Sequence, residues 1–263
     1  MMYRAITLLL AVRCLSLAGS PTIAEKEEFL RKAKIVTTRG APKGITGTVR
    51  ATMSDGTLTH DVSITIIDES KARFEGAMGV EINFRDSYKF YIAAYKLDRM
   101  LGLHMTPPSV ARSYKGSSGA YTWWVEDVLM DEAQRLKGKT VPPNQEEWNE
   151  QMNILRVFDQ LIFNTDRNLG NLVIDKAWKI WMIDHGRAFR ILTTLREPKN
   201  LTKCDRDLLE KMKALDAASL KQEMDGLLNG AEINGLLKRR DLIVKIFESR
   251  GESSQYSSPR RAE

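Results

Sequence analysis

The sequence has too few cysteines and histidines for two common kinds of stabilising site. Its 263 residues include two cysteines, Cys14 and Cys204, and three histidines. Neither cysteine has a partner at the spacing of a metal site, and the scattered histidines do not provide one. If the N-terminus is removed, Cys204 stands alone and a disulfide scaffold is excluded as well.

The sequence also lacks a long apolar run. A helix that spans a bilayer needs about 20 apolar residues, whereas the N-terminal candidate covers residues 5–12 and is interrupted at Arg13. With Arg4 before it and small residues at 17–19, this stretch resembles a short export signal. We therefore expect no transmembrane segment. Residues 1–24 are expected to be a signal peptide or a disordered lead-in, which leaves the protein either cytoplasmic or exported.

The excess of positive charge is small. The chain has 40 Lys and Arg against 34 Asp and Glu, a net charge of +6. This balance fits binding of a polyanion such as ATP, an acidic substrate or a nucleic acid, and it fits an ordinary solvated surface equally well. The basic residues are scattered, and the aromatic residues do not interleave with them as on a platform that stacks single-stranded bases. The pattern therefore disfavours nucleic acid as a partner.

The first half of the chain is predicted to be a small antiparallel sheet with helices. Alternating Thr, Val and Ile residues, glycine-containing turns and one stretch of helical period indicate these elements. They are a helix at 24–34, strands Thr46–Met53 and Thr59–Ile67 joined at Ser54-Asp55-Gly56, a helix from Arg85 to Leu101 closed by Gly102, and a strand at Tyr121–Glu126. Together they make a predicted N-terminal lobe at residues 25–127.

The second half is predicted to be mainly helical, with no internal repeat. Asn144 is a suitable N-cap for a helix that runs to Asn164. A hairpin of residues 172–174 and 178–183 and further helices at 205–249 follow. We expect a C-terminal catalytic lobe at 128–250 and a disordered tail at 251–263. The fold class is therefore α+β and two-lobed, with a small N-terminal sheet plus helix and a mainly helical C-terminal lobe.

Three polar residues around this hairpin indicate a specific chemistry. Asp166 and Asn171 lie in the loop before the hairpin, and Asp184 follows it directly. Because a hairpin returns the chain to its starting point, Asn171 and Asp184 should lie side by side, where an amide and a carboxylate oxygen suit Mg²⁺. Asp166 would then face the γ-phosphate of ATP. This is the arrangement a kinase uses to orient a hydroxyl and neutralise a triphosphate.

Two segments of the sequence resemble known kinase motifs. Residues Asp166-Arg167-Asn168-Leu169-Gly170-Asn171 and Ile183-Asp184-His185-Gly186 are similar to the catalytic and metal-binding segments of atypical kinases, in particular the HipA-like and phosphoinositide-kinase-like branches. Residues 84–88, 93–95 and 101–103, with Pro107-Pro108, also resemble an uncharacterised bacterial branch of this type. The resemblance covers roughly residues 35–190. It implies a protein-kinase-like fold, Asp166 as the catalytic residue, Asn171 and Asp184 as Mg²⁺ ligands, and ATP as a cofactor.

The N-terminal half departs from the kinase pattern. A kinase holds the ATP phosphates with a strand Lys paired to an acid on the next helix, but residues 62–67 contain no Lys and the expected acidic position holds Tyr91. Lys71 and Glu81 are the nearest candidates for the pair, and Lys43 in the Gly-rich segment 39–47 is a further candidate for a phosphate contact. The alternatives are an exposed Lys, a solvated Glu and a flexible connector.

Three functions therefore stay open from the sequence. The first is an ATP- and Mg²⁺-dependent transfer of the γ-phosphoryl group to a hydroxyl acceptor, which could be a protein, a lipid or a small molecule. The second is a nucleotide-binding pseudokinase that kept the metal site and lost the strand Lys. The third is an exported interaction domain without nucleotide chemistry. Tyr121, Trp123 and Trp124 either border an adenine pocket or belong to the core.

Overall fold

The protein has two lobes, one built on a β-sheet and one built mainly of helices. The computed structural model describes residues 20–40, 48–76 and 79–258. The helices in these ranges are α1 (Ile23–Lys32), α2 (Tyr88–Leu101), α3 (Glu132–Lys137), α4 (Gln145–Ile162), α5 (Arg206–Ala214), α6 (Ala217–Glu223) and α7 (Gly230–Arg250). The strands are β1 (Lys34–Gly40), β2 (Val49–Ser54), β3 (Thr59–Thr65), β4 (Asp68–Gly76), β5 (Gly79–Ser87), β6 (Ser109–Tyr114), β7 (Ser117–Trp123), β8 (Val128–Asp131), β9 (Leu172–Asp175), β10 (Ile180–Met182), β11 (Cys204–Asp205) and β12 (Gln255–Tyr256). The predicted two-lobed α+β fold is confirmed.

The N-terminal lobe is a five-stranded antiparallel sheet with the order β1-β2-β3-β7-β6. Alternate side chains of its strands are apolar and pack against α1; these include Ala51, Met53, Val62, Ile64 and Tyr121. Since neighbouring side chains of a strand point to opposite faces, the residues between them form a second face, which we call the inner face. The inner face is polar and carries Arg50, Thr52, Asp61, Ser63 and Thr65.

A two-stranded hairpin, β4 with β5, follows β3 in the chain and leads into α2. The prediction that the helix begins at Arg85 is wrong, because residues 85–87 pair in β5 and the helix begins at Tyr88. Ser87 caps it by accepting a hydrogen bond from the backbone N–H of Lys89. At the other end the expected stop at Gly102 is confirmed, with a left-handed φ of 64° that favours glycine. Helix α2 therefore starts directly after the last residue of strand β5.

The C-terminal lobe places a small sheet, β10-β9-β8, against a helical core. The predicted hairpin is confirmed, with Leu172 opposite Met182 and Ile174 opposite Ile180. The Asp175 carboxylate holds its turn by accepting the N–H groups of Ala177 and Lys179. The main core joins side chains of α4, α5, α7 and both hairpin strands to the apolar face of α2. Helix α2 thus fixes the sheet lobe to the helical lobe.

Part of the segment expected to be a disordered tail packs on the C-terminal lobe. Residues 252–254 form a turn of 3₁₀ helix, and β12 pairs in parallel with β11. The hydroxyl of Tyr256 donates to the carbonyl of Glu150, and Ser258 contacts Asp205 and Glu150. These specific hydrogen bonds order a polar sequence that has little apolar content of its own. No helix in the described part of the chain is long and apolar enough to cross a membrane.

Candidate active site

The hairpin brings Asn171 and Asp184 together, as the sequence predicts. Met182 pairs with Leu172, and the N–H of Ile183 donates to the carbonyl of Asn171 at 3.1 Å. The amide nitrogen of Asn171 donates to the carbonyl of Asp166 at 3.1 Å. Because this bond fixes the nitrogen, the amide oxygen is the atom left to bind a ligand. Asp166 and Asn171 are therefore held by one turn, and Asp184 follows the adjacent strand.

Arg167 ties this loop to the hairpin and to helix α4. Its guanidinium pairs with both oxygens of Asp159, at 2.9 and 3.0 Å. It also donates to the carbonyls of Asn171 and Ile183 and to Nε2 of His185. An arginine has five N–H donors, and all five are used here. The metal-binding residues predicted from the sequence thus depend on one side chain that touches both ends of the hairpin.

His185 is a packed residue of the site and is not exposed to a substrate. Its ring is 1% exposed and lies edge-on to Phe158 at 6.1 Å. Burial, and to a smaller degree the charge of Arg167, lowers the pKa of His185 well below its usual range. The neutral ring can accept the hydrogen bond from Arg167 at Nε2. His185 therefore helps to hold Arg167 in place.

Asp184 is contacted by Tyr91 of helix α2. The Tyr91 hydroxyl donates to Oδ1 of Asp184 at 2.6 Å, and the side chain of Thr65 on β3 lies close enough to interact with the same hydroxyl. Burial, and then the Asp184 carboxylate, raises the pKa of Tyr91 well above its usual value, so it stays a donor. Thr65 and Tyr91 thus form an uncharged chain from the inner face to Asp184. It lies where a kinase places a strand Lys and a helix acid.

Two residues that the sequence interpretation did not identify complete the cluster. The Nε of Arg187 pairs with Asp86 at 3.3 Å, and its Nη1 lies 3.9 Å from Oδ2 of Asp166. Burial raises the pKa of Asp86, and the carboxylates of Asp184 and Asp166 add to this against the effect of Arg187. Burial and Asp184 raise the pKa of Asp166 in the same way. Three carboxylates therefore interact across the site, with Arg187 as the cation that contacts two of them.

Gly186 allows these groups to approach one another. A Cβ on Gly186 would collide with Oδ1 of Asp86 and would lie 3.2 Å from Tyr91. The Gly186 carbonyl also accepts the N–H of Ser87 at 3.0 Å, which joins the end of β5 to the segment after Asp184. A residue without a side chain is required here because of this close contact. The Asp-His-Gly-Arg sequence at 184–187 was a signal that could have identified Arg187.

Lys71 and Glu81 are not paired with each other. Nζ of Lys71 lies 2.9 Å from Glu69, and Glu81 pairs with Nη2 of Arg190 at 2.6 Å. Lys71 is about half exposed and lies over the stacked rings of Phe74 and Phe84. Within the described ranges no hydrogen bond or ion pair joins Lys71 or Glu81 to Asp166, Asn171 or Asp184. Lys43 lies at 41–47, outside the described residues, and the roles of all three stay predictions.

A cavity lies at the far end of the inner face. Its volume is about 440 Å³, and it is lined by β2, β3 and the linker that follows β7. The Arg50 guanidinium stacks on the Trp124 ring at 4.0 Å and pairs with Asp61 at 2.6 Å. Trp123, in contrast, is 4% exposed and belongs to the core. Of the aromatic residues considered for an adenine pocket, Trp124 is the one that lines the cavity.

The two candidate ligands at the hairpin, Asn171 and Asp184, suit a magnesium-type ion. They are too few to form a metal site from protein groups alone. In the part of the chain that the structure describes, no three His, Cys, Asp or Glu side chains converge as a metal site. Asn171 and Asp184 supply one amide and one carboxylate oxygen. Mg²⁺ is commonly held by one or two protein groups together with phosphate oxygens and water. The two residues therefore suit an ion that arrives with a nucleotide.

Solved structures of kinases share this architecture over most of the chain. A hydra Fam20 structure determined with a sugar matches with a TM-score of 0.64 and 15% identity, over 90% of this chain and 92% of that one. A Golgi casein kinase matches at 0.58 with 13% identity, over 90% and 78%. A Golgi casein kinase with Mn and ADP bound matches at 0.59 with 13% identity, over 90% and 80%.

These comparisons show the fold and leave the finer relationship open. No family model matches the chain, and no curated protein matches it either. At 13–15% identity, the likeness to the solved structures shows a two-lobed kinase-like fold. None of these matches supports the narrower resemblance to HipA-like or phosphoinositide-kinase-like proteins, which stays a prediction. By its structure, the chain has the two-lobed fold that these solved kinase structures share.

Proposed function

We propose that this protein is a phosphotransferase that moves the γ-phosphoryl group of ATP to a hydroxyl acceptor with a divalent cation. The observation that carries the proposal is the convergence of Asp166, Asn171 and Asp184 at one end of a hairpin in a kinase-like fold. The Mn and ADP bound in a structure of similar fold give further support. The proposal goes beyond the fold, because three residues with complementary roles in phosphoryl transfer meet in one place.

Each residue has a distinct role in the proposed reaction. The Asn171 amide oxygen and the Asp184 carboxylate would hold the cation, which neutralises charge on the phosphates when bound. Asp166 orients the acceptor hydroxyl and accepts its proton as the new oxygen–phosphorus bond forms. The bond from the γ-phosphorus to the β-phosphate oxygen breaks, and ADP leaves. The raised pKa of Asp166 makes it a better proton acceptor than an exposed carboxylate.

The inner face offers a path for the nucleotide between the cavity and the metal ligands. Asp61 lies at the cavity, and Thr65, four residues along β3, contacts Tyr91 beside Asp184. A strand rises about 3.3 Å per residue, so these points are about 13 Å apart. That distance suits an extended nucleoside triphosphate. We propose that the base lies near Trp124 and that the phosphates point toward Asp184.

A second function, nucleotide binding without turnover, is favoured by one feature. The position between β3 and α2 where a kinase has its Lys and acid holds Thr65 and Tyr91, both uncharged, and Tyr91 occupies one oxygen of Asp184. A pseudokinase that lost its phosphate-anchoring Lys would have this arrangement. The third function, an exported interaction domain, predicts no binding of nucleotide at all.

Transfer of labelled phosphate separates these functions. The purified full chain is incubated with γ-labelled ATP and Mg²⁺ or Mn²⁺, alone and with protein, lipid and sugar acceptors. Asp166→Asn should lower kcat by about 10²- to 10⁴-fold while ATP still binds, and Asp184→Asn should weaken metal-dependent binding. Asp225→Asn is the matched control, because Asp225 is exposed in the turn after α6, outside the elements that form the candidate site and the cavity.

Each result of this assay supports one function. Transfer by the wild type that Asp166→Asn retains in full would overturn the proposed mechanism. Binding of metal and ATP without transfer to any acceptor, including the chain itself, would support the pseudokinase. Absence of any shift in melting temperature with Mg-ATP or Mn-ATP would contradict both and favour the interaction domain.

A further inference from the structure

Among the residues that the structure describes, the site has carboxylates but no Lys on strand β3 to hold the phosphates. Burial raises the pKa of Asp86 and of Asp166, and the nearby carboxylate of Asp184 adds to the rise in both. A triphosphate that approaches them meets like charges, which disfavour binding unless a cation compensates. In kinases this cation is a strand Lys whose partner is an acid on the next helix, whereas the residues between β3 and α2 here are Thr65 and Tyr91. Some other positive group is therefore needed beside Asp166.

Arg187 occupies the right place for this role. Its guanidinium contacts Asp86 at 3.3 Å and approaches Asp166 at 3.9 Å, and the side chain is 29% exposed. It lies over the rings of Phe84 and Phe74, at 5.2 and 5.8 Å. The backbone carbonyl of Arg187 accepts two hydrogen bonds from Thr165, next to Asp166. The main chain is therefore fixed, while part of the guanidinium stays open to a ligand.

We infer that Arg187, positioned by Asp86, is the cation that anchors the phosphates of the bound nucleotide. The inference rests on the proposed function, because it concerns the same cleft. The pair reverses the usual arrangement, since the cation comes from the segment after Asp184 and the acid comes from β5 of the N-terminal lobe. A guanidinium presents a planar set of donors that matches two phosphate oxygens at once. Its position next to Asp166 directs these donors to the terminal phosphate.

Lys71 is the competing cation, and the structure favours Arg187 over it. Both lie against the same stacked pair, Phe74 and Phe84. Lys71, however, is paired with Glu69 and about half exposed on β4. Arg187 contacts Asp166, where the terminal phosphate must lie for transfer. Substituting each cation in turn therefore distinguishes the two.

The test compares nucleotides that differ in the number of phosphates. Dissociation constants of ATP and AMP are measured by calorimetry with saturating Mn²⁺ for the full-length wild type and variants. Arg187→Met should reduce the preference for ATP over AMP by about 10- to 100-fold, as expected for the loss of hydrogen bonds to a charged group. Arg187→Lys should recover part of it. Lys71→Met and the exposed control Arg206→Met should leave it unchanged.

Asp86 is a positioning residue in this scheme, and its test uses the same ratio. Asp86→Asn keeps the size of the side chain but weakens its hold on Arg187. The preference for ATP should fall, and KM for ATP should rise more than kcat falls. A purely structural role for Asp86 would lower the melting temperature and leave the ATP to AMP ratio unchanged.

The outcomes separate this inference from the proposed function. In one outcome the wild type binds nucleotide or transfers phosphate, while Arg187→Met keeps the full preference for ATP over AMP. That result overturns the inference and leaves the proposed function intact. A loss of the preference in Lys71→Met, with Arg187→Met unaffected, assigns the role to Lys71 and also overturns it. If the wild type binds no nucleotide, the proposed function fails and the inference fails with it. If Arg187→Met does not fold, the preference for ATP over AMP is compared between Arg187→Lys and the wild type instead.

Discussion

Replacing Arg167 by methionine tests whether one side chain organises the candidate site. The substitution removes a bidentate ion pair to Asp159 and three further hydrogen bonds to the loop and hairpin. Both partners of the ion pair are 11% exposed, so Asp159 is left nearly buried without its cation. Loss of one member of a buried pair costs about 3–5 kcal/mol. For a chain of this size, that lowers the melting temperature by about 6–20 °C.

Urea unfolding followed by circular dichroism measures this loss. Lys176→Met is the matched control, since the pair of Lys176 with Asp127 has a similar length of 2.8 Å but is exposed; its removal should leave the free energy of unfolding unchanged. Arg167→Lys should cost nearly as much as Arg167→Met, because a lysine has three donors for five acceptor contacts. A loss of less than about 1 kcal/mol for Arg167→Met would refute the argument that this residue organises the site.

Three further predictions concern the same core. Burial lowers the pKa of His185 in the folded state well below the 6.5 of an ordinary histidine, so the unfolded chain binds the proton more readily. The free energy of unfolding should therefore fall below pH 6.5 by up to about 1.4 kcal/mol per pH unit, and His185→Gln should flatten this slope in urea titrations. Gly186→Ala should cost about 1–3 kcal/mol in the same measurement because its Cβ collides with Asp86, and an unchanged stability would contradict the close contact. Burial raises the pKa of Cys204 to about 12, so in a Cys14→Ser chain a thiol reagent should react only at the rate of unfolding; rapid labelling of the folded chain would be the contrary result.

The sequence predicts the elements whose patterns are local. The hairpin of residues 172–182 has apolar alternation and a turn residue, Asp175, that caps its own backbone. Helix α4 has an N-cap at Asn144, and α2 ends at a glycine with positive φ. The β4–β5 hairpin could not be predicted in this way. Strand β4 is mostly charged and exposed, and the apolar Val80 and Ile82 of β5 are exposed as well. The two strands are therefore set by pairing with each other and not by burial of a continuous apolar face.

The residues of the candidate site likewise fall into those that a local sequence pattern reveals and those that only the fold brings together. Asp166, Asn171 and Asp184 could be identified because they are close in sequence and one hairpin joins them. Asp86 is about 80 residues before Asp166, and only the contact of β5 with the segment at Gly186 brings it near. No spacing rule connects two such positions. Long-range contacts of this kind have to be read from the folded structure.

The residues around the proposed phosphate site form a consistent set. This consistency helps to decide between a working site and a degenerate one. A protein that had simply lost the strand Lys would leave its acidic partner on the helix without a cation, and an unpaired carboxylate in the cleft is unfavourable. Here α2 carries Tyr91, which donates to Asp184 and lies beside Thr65. At the same time an acid and a cation, Asp86 and Arg187, are present as a pair on the other side of Asp166. If the cleft binds a triphosphate as we propose, Arg187 and Asp86 give it a charge balance from groups other than a strand Lys and a helix acid, which favours a working site over a degenerate one.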